Sequence, residues 1–304
     1  MVGSQETIEF VQRKIQEVYC RSHSQGFLQI LGNKNRSTEG RWIPATSEGV
    51  YRHTRGGEIP AKNIKENLDD HGLSILRHGT GKLNWAAQGT RPELCFRVAE
   101  LSTHFKSGSV SHLKLINKSI KDARNESVVV QYPKLKGELI IVGFCDAALH
   151  NMDDRVSSGG GYVIFVADKE LRSGPVSWTS TKIKHVVRSS LAAEALIAVD
   201  CVDAMYYVKA MIKEIVTVEA KMILVTDSNN LVESLKSPHP VQEKRLRVHM
   251  AALKKDVTEG VLEIKHCVGS RQVADVLTKN GVSSDLIRKV ITSGSLKGVV
   301  ESLM

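Results

Sequence analysis

From Leu139 onward the chain alternates short apolar runs with stretches of helical spacing. The run Leu139-Ile140-Ile141-Val142-Gly143-Phe144-Cys145 is nearly continuous and bounded by Lys136-Gly137, which predicts a strand buried on both faces. It ends in an acid, Asp146, whose burial is costly unless something positive meets it. Tyr162-Val163-Ile164-Phe165-Val166 and Pro175-Val176-Ser177-Trp178-Thr179-Ser180 predict two more strands of a meander. Glycines 159–161 are read as the turn that lets the first of these begin. Ser189-Ser190 open a long helix through Ile215, with Ser190 as its N-cap. The three-and-four rule places Leu191, Glu194, Ala198, Cys201 or Val202, and Met205 on one face of it. Met222-Ile223-Leu224-Val225-Thr226 repeats the first arrangement, a buried strand ending in Asp227, and a short helix then runs to Lys236. Glu243 to Glu259 predicts a basic helix closed by Gly260, and Val261 to Val268 an alternating strand. Val273 to Lys279 predicts a helix carrying Asp275 in its first turn.

The upstream half is patterned differently. Thr7 to Cys20 has helical spacing and Phe27-Leu28-Gln29-Ile30-Leu31 reads as a short strand. Gly32 to Asn63, rich in Asn, Ser, Thr, Gly and Arg, predicts a loop or linker. Leu73 to Arg124 is helical: one helix before Thr90-Arg91-Pro92, a second with Pro92 in its first turn, then a basic helix. In that last helix Lys114, Lys118 and Lys121 are either a solvated face or a nucleic-acid track. Trp85 is assigned to the core in preference to a base-stacking platform. Gly79-Thr80-Gly81 follows no strand and lacks the Lys-Ser/Thr ending of a phosphate loop. Val128-Val129-Val130 is read as a short strand and Pro133 to Gly137 as a boundary. The expected division is 1–63 as an irregular segment and linker, 64–135 as a helical connection, and 136–304 as an α/β domain.

The 304 residues, 41% hydrophobic and 25% charged, leave room for two cored domains. No apolar run reaches the roughly 20 residues of a bilayer span, and the Met1 region, with Glu6 and Glu9, does not resemble a signal peptide. An intracellular protein, cytoplasmic or nuclear, is expected. The five cysteines, Cys20, Cys95, Cys145, Cys201 and Cys267, form no C-x-x-C pair and read as reduced core thiols. The net charge of +9 points to a polyanion partner, or else to a solvated basic surface.

Two strand-end aspartates, a core-facing helical glutamate and a helix-start aspartate are four carboxylates that the strand order can bring to one sheet edge. Close together they repel and raise one another's pKa values, and a divalent metal resolves that conflict. Hard oxygen donors without His or Cys favour Mg²⁺ or Mn²⁺ over zinc. Two such ions about 3.5–4 Å apart activate a water and stabilise the leaving oxygen in phosphodiester hydrolysis.

Five segments then fall into a familiar order. Phe144-Cys145-Asp146-Ala147, Pro175-Val176-Ser177-Trp178-Thr179-Ser180-Thr181-Lys182, Ser189-Ser190-Leu191-Ala192-Ala193-Glu194, Thr226-Asp227-Ser228-Asn229 and Ala274-Asp275-Val276-Leu277-Thr278-Lys279 resemble the successive motifs of one domain. That domain is the ribonuclease H of copia-type retrotransposon Pol polyproteins. Upstream, Gly81-Lys82-Leu83-Asn84-Trp85 with Thr90-Arg91-Pro92 is similar to the segment joining the reverse transcriptase to that nuclease, so the resemblance covers most of residues 73–282. It implies a mixed five-stranded sheet flanked by helices, preceded by a mainly helical region whose first part resembles a polymerase thumb. It also implies cleavage of the RNA strand of RNA/DNA hybrids. Asp146, Glu194, Asp227 and Asp275 match the four acidic ligands of two Mg²⁺ or Mn²⁺ ions. Ser190, Asn229, Lys244, Arg245, Arg247 and Arg271 are the expected nucleic-acid contacts. The expected partners are the hybrid and the reverse-transcriptase part of a Pol polyprotein, with no membrane.

The chain departs from the family in places. It has no Tyr-x-Asp-Asp motif, so a fragment without the polymerase palm is expected. Before Asp275 stand Ser270 and Arg271, where some ribonucleases H carry a proton-shuttling histidine. His266 is read as structural, and His249 as a surface or hybrid-backbone residue. The rival reading is a catalytically silent or host-retained module that binds nucleic acid or a partner. A third is a DNA-strand nuclease or integrase of the same fold.

Overall fold

The computed structural model describes residues 64–126, 128–149 and 158–300. The elements expected over Thr7–Cys20 and Phe27–Leu31, and the linker to Asn63, lie outside the described residues, as does Cys20. The described residues fall into two compact units dividing between Val128 and Val129.

The first unit is helical. Helix α1 (Asp70–Gly89) starts at the N-cap Asp69, whose carboxylate accepts a hydrogen bond from the Gly72 amide at 2.8 Å. Residues 79–81 lie within this helix, with Gly79 close against Ile116. A 3₁₀ turn (Pro92–Leu94) with Pro92 at its first position leads to α2 (Cys95–Ser102), and α3 is Val110–Asn125. Leu76, Leu83, Leu101, Leu113 and Ile116 form the buried interior. The Arg91 side chain is wholly buried. It pairs with Glu93 at 2.5 Å and donates to the carbonyls of Ala123 and Glu126, each at 2.9 Å, so it closes the C-terminal end of α3. Trp85, expected in the core, is instead 44% exposed. The buried stripe of α1 runs through Leu76, Thr80, Leu83 and Ala87, and Trp85 falls outside that 3–4 spacing.

Val128-Val129-Val130, expected as a strand, joins no sheet. Val129 is exposed, and the Gln131 amide just beyond donates to the Ile291 carbonyl at 2.8 Å. That hydrogen bond goes to a helix end, where a strand would have paired with a neighbouring strand.

The second unit is built on one sheet of five strands in the order β3-β2-β1-β4-β5. These are β1 (Leu139–Ala148), β2 (Gly159–Asp168), β3 (Ser173–Lys182), β4 (Lys221–Thr226) and β5 (Leu262–His266). Strands β1, β2 and β3 form an antiparallel meander, while β4 lies parallel to β1 and β5 parallel to β4. The parallel connections run through helices α4 (Ser190–Val216), α5 (Asn229–Lys236) and α6 (Arg247–Thr258), and α7 (Asp285–Ser293) follows β5. This mixed sheet with its helices is the ribonuclease H-like arrangement. One core joins Ile141, Cys145, Cys201, Met205, Leu224 and Met250 between sheet and helices. Elsewhere in the sheet Phe144 and Phe165 meet edge to face, 6.1 Å between centroids. Among the described cysteines Cys95, Cys145, Cys201 and Cys267 are free and buried.

Three local readings are corrected. Glycines 159–161 are not a turn: they are strand residues, pairing with Ala148, Ala147 and Asp146 on one side and with 182, 181 and 180 on the other. A Cβ at Gly160 would lie 2.2 Å from Ile197 of α4, and one at Gly161 2.6 Å from the Leu277 Cβ. Successive strand residues face opposite ways, so these glycines admit close neighbours on both faces of the sheet beside Asp146. The N-cap of α4 is Ser189, whose hydroxyl accepts from the Ala192 amide at 3.1 Å, and Ser190 is the first helical residue. Asp275 sits in a 3₁₀ turn (Val273–Leu277), too short a segment to continue as an α-helix. Among the described residues no helix is long and apolar enough to cross a membrane.

Candidate metal centre

Parallel pairing of β1 and β4 brings the C-terminal parts of both strands to the same sheet edge, and each places an acid there. Asp146 lies near the C-terminal end of β1, and Asp227 sits in the tight passage from β4 to α5. There the Thr226 hydroxyl accepts from the Ser228 amide at 3.1 Å and Ser228 caps α5. The chain leaves β5 at His266, whose ring Nε2 lies 3.2 Å from the Asp227 carbonyl oxygen, and makes a 3₁₀ turn over Gly269–Arg271. Gln272, buried, then ties this segment to β1. Its Nε2 donates to the Cys145 carbonyl at 3.0 Å and its Oε1 accepts from the Ala274 amide at 3.2 Å. The turn that follows carries Asp275 to the same edge. Carboxylate oxygens of Asp146, Asp227 and Asp275 lie within 4.8 Å of one another.

Glu194 projects from the second turn of α4 and is 7% exposed, and its Oε2 has no hydrogen-bond partner among the described residues. Burial, reinforced by the charges of Asp146 and Asp227, pushes its pKa up to about 9, against a smaller opposing effect of a hydrogen bond from the Ala147 backbone. Asp146 is 1% exposed, and burial raises it to about 6. The Thr278 hydroxyl, which donates to its Oδ2, and the Lys279 ammonium pull the other way, while Asp275 and Asp227 add to the rise. Lys279 Nζ lies 2.5 Å from Asp275 Oδ1 and 3.4 Å from Asp146 Oδ2. Burial lowers its pKa, but the hydrogen bond to Asp275 and the surrounding carboxylates win and hold it above the usual lysine value.

The four acids singled out from the sequence are thus brought into one neighbourhood: three aspartates in mutual reach and Glu194 electrostatically coupled to two of them. Gln272, Thr278 and Lys279 were given no role by sequence reasoning. The signal for Lys279 was its place four residues after Asp275, and nothing local marks Gln272, whose partner is 127 residues away. Ser190, Asn229 and Arg271 adjoin Glu194, Asp227 and Asp275 in the chain. The first two are exposed and Arg271 is half-buried. Lys244 and Arg245 lie in a 3₁₀ turn (Lys244–Leu246) before α6, and Arg247 opens that helix with its Nε donating to the Val241 carbonyl at 3.1 Å. All three are exposed. The Ser189 hydroxyl reaches Glu243 at 3.5 Å, so this basic turn adjoins the start of α4 beside a depression of about 470 Å³. His249 is half-buried and lowers the pKa of Asp200, which burial raises.

Fold and site define a ribonuclease H-like α/β domain with a cluster of carboxylates at one sheet edge. In sequence the chain is related to retrotransposon Pol polyproteins. It is 25% identical over 195 residues to the Pol polyprotein from transposon RE1 of Arabidopsis thaliana, covering 62% of this chain and 13% of that protein. The RE2 polyprotein of the same plant is 24% identical over 194 residues, again 62% of this chain and 13% of that protein. The putative transposon Ty5-1 protein YCL074W of Saccharomyces cerevisiae is 28% identical over 149 residues, 47% of this chain and 46% of that protein. The chain therefore spans under half the length of each of these relatives. No protein-family model matches. Among solved structures, the N-terminal ribonuclease H domain of Rv2228c from Mycobacterium tuberculosis aligns at a TM-score of 0.35 and 14% identity, over 52% of this chain and all of that one. LC11-RNase H1 in complex with an RNA/DNA hybrid aligns at 0.35 and 17%, over 46% and 94%.

Proposed function

We propose that the α/β unit is a metal-dependent endonuclease that hydrolyses the RNA strand of RNA/DNA hybrids. The observation that carries this reading is the convergence of Asp146, Asp227 and Asp275 within 4.8 Å at one sheet edge, beside the buried Glu194. The donor set fits a hard divalent cation. All four groups offer carboxylate oxygen, Glu194 has a buried oxygen without a partner among the described residues, and their mutual repulsion is the cost that a cation removes. Asp146, Glu194, Asp227 and Asp275 are the residues that would hold Mg²⁺ or Mn²⁺. Bound ions of this kind supply an activated water and stabilise charge on the leaving oxygen.

The chain's own residues do the rest. Gln272 fixes the Asp275 turn against β1, the His266 ring holds the backbone at Asp227, and Thr278 orients Asp146. Ser190, Asn229, Lys244, Arg245, Arg247 and Arg271 are the groups proposed to meet the hybrid's backbone. Residues 64–135 are proposed as the connection to a reverse-transcriptase part, with 136–304 as the nuclease.

The test is cleavage of a hybrid labelled on its RNA strand, with Mg²⁺ or Mn²⁺ and with chelator. Metal-dependent cutting that Asp146→Asn and Asp227→Asn abolish supports the proposal. A folded chain that leaves the hybrid intact refutes it. One observation favours a silent, binding-only module: the Lys279 ammonium already sits against two of the acids. On that reading the unmutated chain binds hybrid, releases no product, and Asp146→Asn changes nothing.

A further inference from the structure

Positions 74, 77, 78, 81, 82 and 85 recur at three- and four-residue intervals and so share one face of α1, extending roughly 16 Å along the helix axis. Ser74, Arg77, His78, Gly81, Lys82 and Trp85 line a shallow depression of about 640 Å³ there. Trp85 is 44% exposed, so a good part of a large aromatic side chain faces outward from this helix. A helical side chain leans over the turn N-terminal to its own Cα, which for Trp85 is the turn of Gly81. A Cβ added at Gly81 would meet nothing within 4 Å, so the depression is open at Gly81, one turn before Trp85. Arg77 and His78 are exposed, Lys82 is half-buried, and none of the six lining residues is acidic. Neither Arg77 nor Lys82 pairs with a carboxylate among the described residues.

An apolar partner seated here would strip water from the Arg77 and Lys82 cations without compensation. A simple anion would use the cations and ignore the indole. A ligand that presents flat rings and regularly spaced phosphates satisfies both features, and its rings must be free of a duplex stack to reach the tryptophan. We propose that this face of α1 is a docking site for single-stranded nucleic acid. An unstacked base lies on Trp85, and the flanking phosphates are met by Arg77, His78 and Lys82. Stacking and phosphate contacts are indifferent to sugar and sequence, so RNA and DNA strands bind alike. The site belongs to the helical unit and does not depend on the metal centre.

The test uses the full chain and fluorescein-labelled 15-mers of oligo(rU) and oligo(dT), with binding followed by anisotropy across a salt series. A blunt RNA/DNA hybrid serves as the third probe. Trp85→Ala is expected to weaken both single strands about 5- to 100-fold, Trp85→Phe to retain most of the affinity, and the blunt hybrid to be unaffected. Arg77→Ala with Lys82→Ala is expected to flatten the salt dependence by about 1.4 in log–log slope, about 0.7 for each phosphate that is no longer neutralised. An unchanged thermal midpoint for each variant shows that the fold is intact. Single-strand binding by Trp85→Ala equal to that of the parent overturns the proposal, as does equal weakening on the blunt hybrid. So does a Trp85→Ala change confined to self-association, which would assign the face to a second copy of the chain.

Discussion

Glu194→Gln is the most informative single change, because it separates the cost of the carboxylate cluster from its use. In the metal-free folded protein the Glu194 pKa is raised to about 9, while in the unfolded chain it returns to the ordinary glutamate range. Folding at pH 7 therefore takes up a proton. Across the 2.5 or so pH units between the ordinary value and neutrality, that uptake costs about 3 kcal/mol at about 1.36 kcal/mol per unit. The sign follows from the folded state binding more protons than the unfolded one. Glu194 imposes no penalty below about pH 4.5, and stability falls as pH rises from there toward 9. Glutamine has nearly the shape of the protonated acid and carries no such penalty. With chelator present, the variant is expected to be more stable than the parent by about 3 kcal/mol at pH 7, and the gap is expected to narrow steadily toward pH 5. Urea unfolding of both proteins at several pH values between 5 and 8.5, followed by circular dichroism, reads this directly. With Mg²⁺ added, the parent is expected to gain stability and the variant to gain much less. Parallel curves across pH, or a variant less stable throughout, would refute the reasoning and mark Glu194 as a comfortably solvated acid.

Three other outcomes are expected. Because Asp146 and Glu194 are held above the usual carboxylate range, metal binding must release protons, so Mg²⁺ affinity should rise with pH. Calorimetry in two buffers of different ionisation enthalpy at pH 7.5 should register about one proton released per metal-loaded site. Lys279→Met removes the ammonium that touches Asp275 and Asp146, so the metal-free protein should lose stability while its affinity for Mn²⁺, measured by spin-resonance titration, tightens. Unchanged affinity would show that Lys279 does not contest the cation's place. Gly160→Ala drives a methyl to 2.2 Å from Ile197 and should cost about 1–3 kcal/mol in unfolding free energy; a neutral result would mean that α4 stands off easily from the sheet.

Much of this architecture is legible in the amino-acid sequence. The run from Leu139 to Cys145 has the apolar continuity of a doubly covered strand, and β1 is buried along most of its length. The same logic found β4, and the 3.6-residue rhythm found α4 with Glu194 among its buried positions. What failed were readings that needed a neighbour. Glycines 159–161 carry turn chemistry locally, yet they lie in a strand because α4 and the Leu277 turn press on them from opposite faces. Val128-Val129-Val130 has strand propensity, but its continuation bonds to the end of α7 and joins no sheet. Trp85 was assigned inward by hydrophobicity, which does not say which side of a helix the rest of the unit covers.

The same division runs through the site. Sequence alone determined which acids terminate apolar strands and which one lies on a buried helical face, because both follow from local periodicity and the chemistry of carboxylates. Tertiary structure decided that Asp146, Asp227 and Asp275 share one edge within 4.8 Å, since parallel pairing of β1 with β4 sets where their ends emerge. It also decided that Gln272 holds the last turn to the Cys145 carbonyl of β1, and that Lys279 is seated against Asp146 as well as its near neighbour Asp275. Gln272 and Cys145 stand 127 positions apart in the chain, and Lys279 is separated from Asp146 by a comparable span. No local pattern in the sequence encodes a pairing over that separation.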